Sequence, residues 1–198
     1  MALVGKRQMN WRSRLSGQPM PFCTRLTTPC CGRDIIDEVA RTGFTPDAVV
    51  LSVGGGGLLS GVAEGLQRNG WHGIPIVAVE TEGAASFHAA TKVGHAVQLE
   101  QITSIATSLG AKRVCDQAIK WARDHPIHSE LVSDHSAVAA CQRFLADHRV
   151  LVEPACGASL ALAYENSPAL ETFKNVLVIV CGGATATVNQ LQQWSEGL

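Results

Sequence analysis

The chain lacks a surplus of charge of either sign: 16 Lys and Arg stand against 17 Asp and Glu, for a formal net charge of -1 at pH 7. So even a balance gives no reason to expect nucleic acid or a membrane as partner. No apolar run reaches the length of a bilayer span. Internal repeats and low-complexity linkers are also missing. So is a disulfide framework. The 7 cysteines are an odd number, and beyond position 32 Cys115, Cys141, Cys156 and Cys181 stand singly in apolar stretches, the pattern of reduced thiols in a cytosolic protein. Acid is missing from residues 1–33, which hold Lys6, Arg7, Arg12, Arg14, Arg25 and Arg33. Such a start resembles a transit peptide, but Pro19, Pro21 and Pro29 interrupt a long amphipathic helix. Cys23, Cys30 and Cys31 lack the paired spacing of a zinc site. The expected organisation is a basic, poorly ordered extension over 1–33 and a folded unit over 34–198.

What is present is an apolar chain, 46% hydrophobic, with enough material for a core. Its most informative stretch runs from Asp47 through Val53 as an apolar strand, then into Gly54, Gly55, Gly56 and Gly57, then into Leu58, Leu59, Val62, Ala63 and Leu66 at helical spacing. Four glycines exceed the need of a turn and let a ligand approach the main chain. The free N–H groups and dipole at the start of the next helix favour an anion there. A second apolar strand, Ile74 to Glu80, completes a βαβ unit with parallel strands. Further strands are expected at 129–132 and 176–180, and helices at 35–40, 86–90, 111–123, 134–145, 155–164 and 185–194, with Ser133 as an N-cap. Continuous apolar strands alternating with helices predict an α/β fold, an open and mostly parallel sheet with helices on both faces.

Two strands end in glycine, one at Gly54 and one at Cys181-Gly182-Gly183, and in such sheets ligands bind beyond the carboxyl ends of strands, so one shared site is expected. A nucleotide P-loop is excluded, since Val62 and not Lys follows Gly61. The dinucleotide glycine spacing is absent as well, although Glu80 ends the next strand where a ribose-binding acid would sit, which keeps a dinucleotide-binding oxidoreductase as an alternative. His125, His128, His135 and His148 scatter too widely for a metal site and are expected at the surface.

Taken together, the motifs Leu51 to Leu59, Glu80 to Ala90, Ile102 to Ser104, Leu151 to Ala158 and Val178 to Gly183 resemble the L-serine dehydratase family, pyridoxal-phosphate enzymes with the tryptophan-synthase β-subunit type of fold (fold type II). They come in family order and spacing over about 35–198. The resemblance implies that Gly54, Gly55, Gly56, Gly57 and Leu58 bind the phosphate of pyridoxal 5'-phosphate, with Cys181 and Gly182 at the pyridine end. It implies a monovalent cation, K+, at Gly54, Glu80, Ala84, Ser86, Leu109 and Ala111; hard oxygen ligands suit it. The implied reaction is α,β-elimination of L-serine, with L-threonine the alternative substrate, to a 2-oxo acid and ammonia. A thiol where related threonine enzymes tend to have Ser tilts the choice to serine. A cytoplasmic homodimer acting on a small amino acid, with no nucleic-acid or membrane partner, is the implied setting.

One family element has no counterpart. The Schiff-base lysine, usually in a Ser-x-Lys-hydrophobic-Arg-Gly setting, is not matched by Lys6 in Val4-Gly5-Lys6-Arg7-Gln8. Lys92, Lys112, Lys120 and Lys174 fall in regions aligned with non-catalytic parts, so no catalytic residue is assigned. The expectation is a truncated large domain whose residues 1–33 are a mis-framed or substituted start. The competing expectation is a catalytically inactive remnant that retains the fold or pairs with another subunit.

Overall fold

The computed structural model describes residues 2–4, 30–183 and 185–198. Most of the 1–33 extension, including Lys6 and Cys23, therefore lies outside the described residues. Strands β1 (Ala2–Val4), β2 (Ala48–Ser52), β3 (Ile76–Thr81), β4 (Ile127–Val132) and β5 (Val176–Ile179) form one sheet in the order β1-β5-β2-β3-β4. The four strands from β2 onward are parallel, and β1 joins the edge antiparallel, with Leu3 opposite Val178. Central β2 registers Val50 against both Val77 and Val178.

Side chains alternate across the pleat and so feed two cores. Val49, Leu51, Ile76, Ala78, Leu177 and Ile179 point to one face. There they meet α1 (Cys30–Arg41), α2 (Gly57–Arg68), α3 (Ser86–Val93) and α4 (Asp116–Asp124), which contribute Ile36, Leu59, Phe87 and Ile119 among others. Val50, Val77, Val79 and Val178 point the other way, to α5 (Asp134–His148), α6 (Pro154–Tyr164) and α7 (Val188–Gly197) with Phe144, Leu160 and Leu191. Strands buried on both faces are why these segments read as continuous apolar runs.

Several boundaries differ from the periodic pattern, each for a local reason. Helix α1 starts at Cys30, four residues before the acidic Asp34 where the pattern becomes regular. Helix α4 starts at Asp116 and not at 111, because Ala111 N–H donates to Leu109 O at 2.7 Å and Leu99 N–H to Lys112 O at 2.8 Å, holding the approach in turns. Helix α7 starts at Val188 because Thr187 and Gln190 form a capping box. Ser133 caps α5 as expected, accepting from Ser136 N–H. The histidine expectation holds for His128 and His135 and fails for His125, which is 4% exposed. Its Nε2 donates to Ile74 O at 2.8 Å, since a carbonyl only accepts, so its Nδ1 accepts from Gln67 Nε2 at 3.2 Å.

Helix α6 is buried from Pro154 to Leu162, and its small residues let α5 come close. A Cβ on Gly157 would lie 2.0 Å from Ala137 O. Gly157→Ala is therefore expected to destabilise the fold by about 1–3 kcal/mol in urea titration, the range for overpacking. Gly73→Ala, where a Cβ meets nothing within 4 Å, should stay within about 0.5 kcal/mol. Burial also lowers the His125 pKa below 6.5. The folded state thus prefers the neutral ring, so this contribution is present above pH 6.5 and lost as pH falls through the lower, folded value. Unfolding midpoints should fall with acidification over that window, and His125→Asn should flatten the slope; an unchanged slope would contradict the assignment.

Candidate active site

The carboxyl ends of β2, β3 and β5 lie side by side, and the chain leaves each through a polar or glycine-containing turn. After β2 the main chain turns at Gly56 with φ 88°, a left-handed conformation that glycine adopts without strain. Any side chain at Gly56 would also meet Ala118 Cβ and Val114 Cγ2 at 2.8 Å. The turn is thus fitted against α4 and its approach, and Cys115 N–H donates to Gly55 O at 3.0 Å. Ser60 N–H makes the first intrahelical bond of α2, to Gly56 O at 3.0 Å. The N–H groups of Gly57, Leu58 and Leu59 precede it and have no acceptor within the helix.

These glycines line a cavity of about 220 Å³ whose opposite wall holds Cys181, Cys156 and Glu153. The cradle and the β5 terminus do share one site. Gly54, Gly55, Gly56, Gly57, Leu58 and Cys181 all line it; Gly182 does not, and instead holds the wall together. Its N–H donates to Cys156 Sγ at 3.3 Å, and Cys156 Sγ–H donates to Gly182 O at 3.1 Å. Cys31, from the first turn of α1, also reaches the cavity, so the N-terminal turns of α1, α2 and α6 all border it. Among the described lining residues there is no Lys, Arg or His. The groups such a lining offers an anion are main-chain N–H groups and helix dipoles.

Sequence reasoning missed Glu153, Cys156 and Ser108 as lining residues. The first two lie in a motif quoted for the resemblance, but nothing in their spacing shows that α6 starts at the same cavity as α2. Ser108 and Leu109 close the back of the cradle, where a Cβ on Gly54 would be 3.0 Å from Ser108 O. Their loop is pinned by α5: Ser104 Oγ–H donates to Asp134 Oδ1 at 2.5 Å and Ile105 N–H to Asp134 Oδ2 at 3.0 Å.

The thiols are kept neutral. Cys181 is open to the cavity, yet the protein crowded around it pushes its thiol up to about 11, with Cys156 adding to the rise. Burial raises Cys156 too, and takes Cys141 behind it to about 12.

Beside this cavity, Glu80 at the end of β3 is fully buried. Burial raises its carboxyl to about 7, against the opposing pull of main-chain N–H groups. Phe87 N–H donates to one of its oxygens at 2.9 Å and His88 N–H to the other at 2.7 Å. Both oxygens face the start of α3, so no ribose can reach them, which removes the basis for the dinucleotide alternative. Ala84 and Ser86 are buried next to Glu80, while Ala111 is half-buried on the loop that carries Leu109. Ser86 Oγ is buried without any hydrogen-bond partner, a rare state for a hydroxyl and one that a bound ion or water relieves. Among the described residues no group of three or more His, Cys, Asp or Glu is arranged to hold a metal ion, and no helix is long and apolar enough to cross a membrane.

Residues 30–182 match the family described as pyridoxal-phosphate dependent enzyme. The chain is 50% identical over 173 residues to L-serine dehydratase/L-threonine deaminase of Homo sapiens, an alignment covering 83% of this chain and 53% of that protein. To the serine dehydratase-like protein of Rattus norvegicus it is 52% identical over 169 residues, covering 80% and 50%. Among solved structures, a fungal L-serine ammonia-lyase from Rhizomucor miehei superposes with a TM-score of 0.80 at 35% identity, over 83% of this chain and 55% of that one. The chain spans about half the length of the curated relatives it matches.

Proposed function

This chain belongs to the pyridoxal-phosphate dependent enzyme family, and from that premise we propose that its cavity holds pyridoxal phosphate for the α,β-elimination of L-serine, with L-threonine as the second substrate, to a 2-oxo acid and ammonia. The observation that carries the reading is the meeting of the Gly54–Gly57 cradle and Cys181 across one cavity. The fit is chemical as well as spatial: the left-handed turn at Gly56 brings the first N–H groups of α2 to the cavity, and the lining offers these donors at one end and a neutral thiol at the other. When bound, the cofactor supplies an electron sink for loss of the β-hydroxyl.

The residues of this chain have separable tasks in that reading. The N–H groups from Gly54 to Leu58 would hold the phosphate at one end of the cavity. The Cys181 thiol would serve the ring nitrogen as a weak, uncharged partner. Val53 and Leu109, both buried at the base of the cradle, exclude water from it. Among the described residues no lysine lines the cavity, and the names of the relatives carry the elimination chemistry for the whole protein. For the chain as it stands, the reading is reversible cofactor binding through the phosphate.

We extend the reading to a potassium site at Gly54, Glu80, Ala84, Ser86, Leu109 and Ala111, supported by the unpartnered Ser86 hydroxyl and by the contact between Gly54 and the Ser108–Leu109 turn. A cytoplasmic homodimer completes it; the free thiols suit a reducing compartment, and the pairing follows the family resemblance.

Absorbance titration with pyridoxal phosphate should show saturable binding that inorganic phosphate competes away, with no label retained after borohydride and dialysis. Gly56→Ala should weaken that binding at least tenfold. Saturation untouched by phosphate would place the ligand elsewhere, and a borohydride-fixed label would reveal an anchoring lysine. Thermal unfolding should shift upward in potassium chloride relative to choline chloride. Ser86→Ala should remove this difference while costing nothing in potassium-free buffer, because its hydroxyl makes no bond there. Equal midpoints in the two salts for the native chain would refute the cation site.

A further inference from the structure

The proposed potassium site draws its ligands from three stretches of chain. Gly54 follows β2, Glu80, Ala84 and Ser86 lie at the end of β3 and just beyond it, and Leu109 and Ala111 lie on the loop between α3 and α4. That loop has no regular element apart from the 3₁₀ turn Thr107–Leu109, so its shape is set by what grips it. Asp134, the first residue of α5, grips it with both oxygens: Ser104 Oγ–H donates to Oδ1 at 2.5 Å and Ile105 N–H to Oδ2 at 3.0 Å. From there a run of hydrogen bonds leads to the ligands. Ser104 Oγ accepts from Ala106 N–H at 3.0 Å, Ala106 O from Leu109 N–H at 2.8 Å, and Leu109 O from Ala111 N–H at 2.7 Å. In the other direction the buried Thr81, next to Glu80, donates its hydroxyl to Ser104 Oγ at 2.7 Å. Ser104 thus joins the β3 side of the site to the loop side, and Asp134 holds Ser104.

We propose that Asp134 is a positioning residue that sets the ion selectivity of this site, by fixing the span between its β3 ligands and its loop ligands; this rests on the reading of those residues as a potassium site. Oxygen ligands that cannot draw together favour the larger potassium ion over sodium, whereas a slack loop can close around either. The loop is tight against its other neighbours as well. A Cβ on Gly83 would lie 2.5 Å from Ser104 N, and one on Gly54 would lie 3.0 Å from Ser108 O. With so little slack on those two sides, the carboxylate on the third completes the frame. Both oxygens of Asp134 are engaged by the loop, so the residue acts through Ser104 and Ile105 and not on the ion itself. Helix stability is the weaker account of it. The cap of α5 is already supplied by Ser133, whose Oγ accepts from Ser136 N–H at 3.0 Å, and an acid in the first turn stabilises by its charge alone, without reaching for a distant loop.

The test derives ion affinities from thermal unfolding midpoints of the native chain, Asp134→Ala, Ser104→Ala and Ser133→Ala, titrated with potassium or sodium chloride against choline chloride at constant ionic strength. The native chain is expected to bind potassium more tightly than sodium. Asp134→Ala should lower the ratio of the two affinities by about fivefold, within the range for residues that act through a neighbouring element, and Ser104→Ala should do the same. Ser133→Ala removes the cap of the same helix, whose bonds run to Ser136 and not to the loop, so it should lower every midpoint and leave the ratio unchanged. A ratio in Asp134→Ala equal to the native one overturns the assignment and leaves the cation site standing. A ratio that falls as far in Ser133→Ala makes the effect one of helix stability and overturns it too. Should Asp134→Ala fail to fold, an unchanged ratio in Ser104→Ala overturns it equally. A native chain that answers to potassium and sodium alike does so as well, because there is then no selectivity to set. A native chain that answers to neither salt removes the cation site, and this inference with it.

Discussion

The left-handed turn at Gly56 is the constraint on which the cavity depends. It ends β2, starts α2 and leaves the first N–H groups of that helix facing outward beyond the sheet. Ala118, Val114 and Cys115 press against the place where a side chain would stand, so the turn is held by packing from α4 and not by its own hydrogen bonds alone. That arrangement turns free N–H groups to the cavity with no positive side chain beside them among the described residues. It also makes the site sensitive to a single methyl group, since backbone strain and a steric clash fall on the same atom.

The electrostatics of the opposite wall follow from burial. Among the described residues no basic side chain lines the cavity, and burial first of all keeps Cys181 and Cys156 protonated, with Cys156 and Glu153 raising Cys181 further against the pull of the N-terminal charge. Reactive cysteines are those whose thiolates are stabilised by nearby positive charge. For the two wall thiols burial outweighs any such charge, and both are held in the neutral form. The two ends of the cavity differ in kind: main-chain N–H groups and helix dipoles border one, while two thiols and one carboxylate border the other.

Much of this was legible in the sequence where the local signal and the tertiary role coincide. The strand before Gly54 and the strand before Cys181 are apolar throughout because each is buried on both faces, and that same burial makes them neighbours at the sheet centre. The cap at Ser133 and the close-packing helix after Pro154 were readable for similar reasons, since each rests on side chains near in sequence. Glu153 was not, because its place on the cavity wall depends on where the start of α6 lies relative to the end of β5, a relation between segments with no periodic trace. His125 misled for the opposite reason. A histidine flanked by Asp124 and Pro126 looks exposed, yet Gln67 and Ile74, more than fifty positions away in sequence, satisfy both of its ring nitrogens.

The two ends of the sheet differ in how completely their polar groups are paired. At the amino ends, the exposed Asp47 accepts from Lys174 N–H and Asn175 N–H at 3.0 and 2.8 Å, joining β2 to β5, and the buried His125 has both nitrogens engaged. At the carboxyl ends, Glu80 is buried with its carboxyl raised to about 7, and Ser86 Oγ has no partner at all. Stability does not account for the Ser86 hydroxyl, because a buried polar group left unpaired costs about 1–3 kcal/mol. Ser86 follows the carboxyl end of β3, the edge at which open parallel sheets bind ligands, and an ion or water bound there would relieve the hydroxyl that the fold leaves bare.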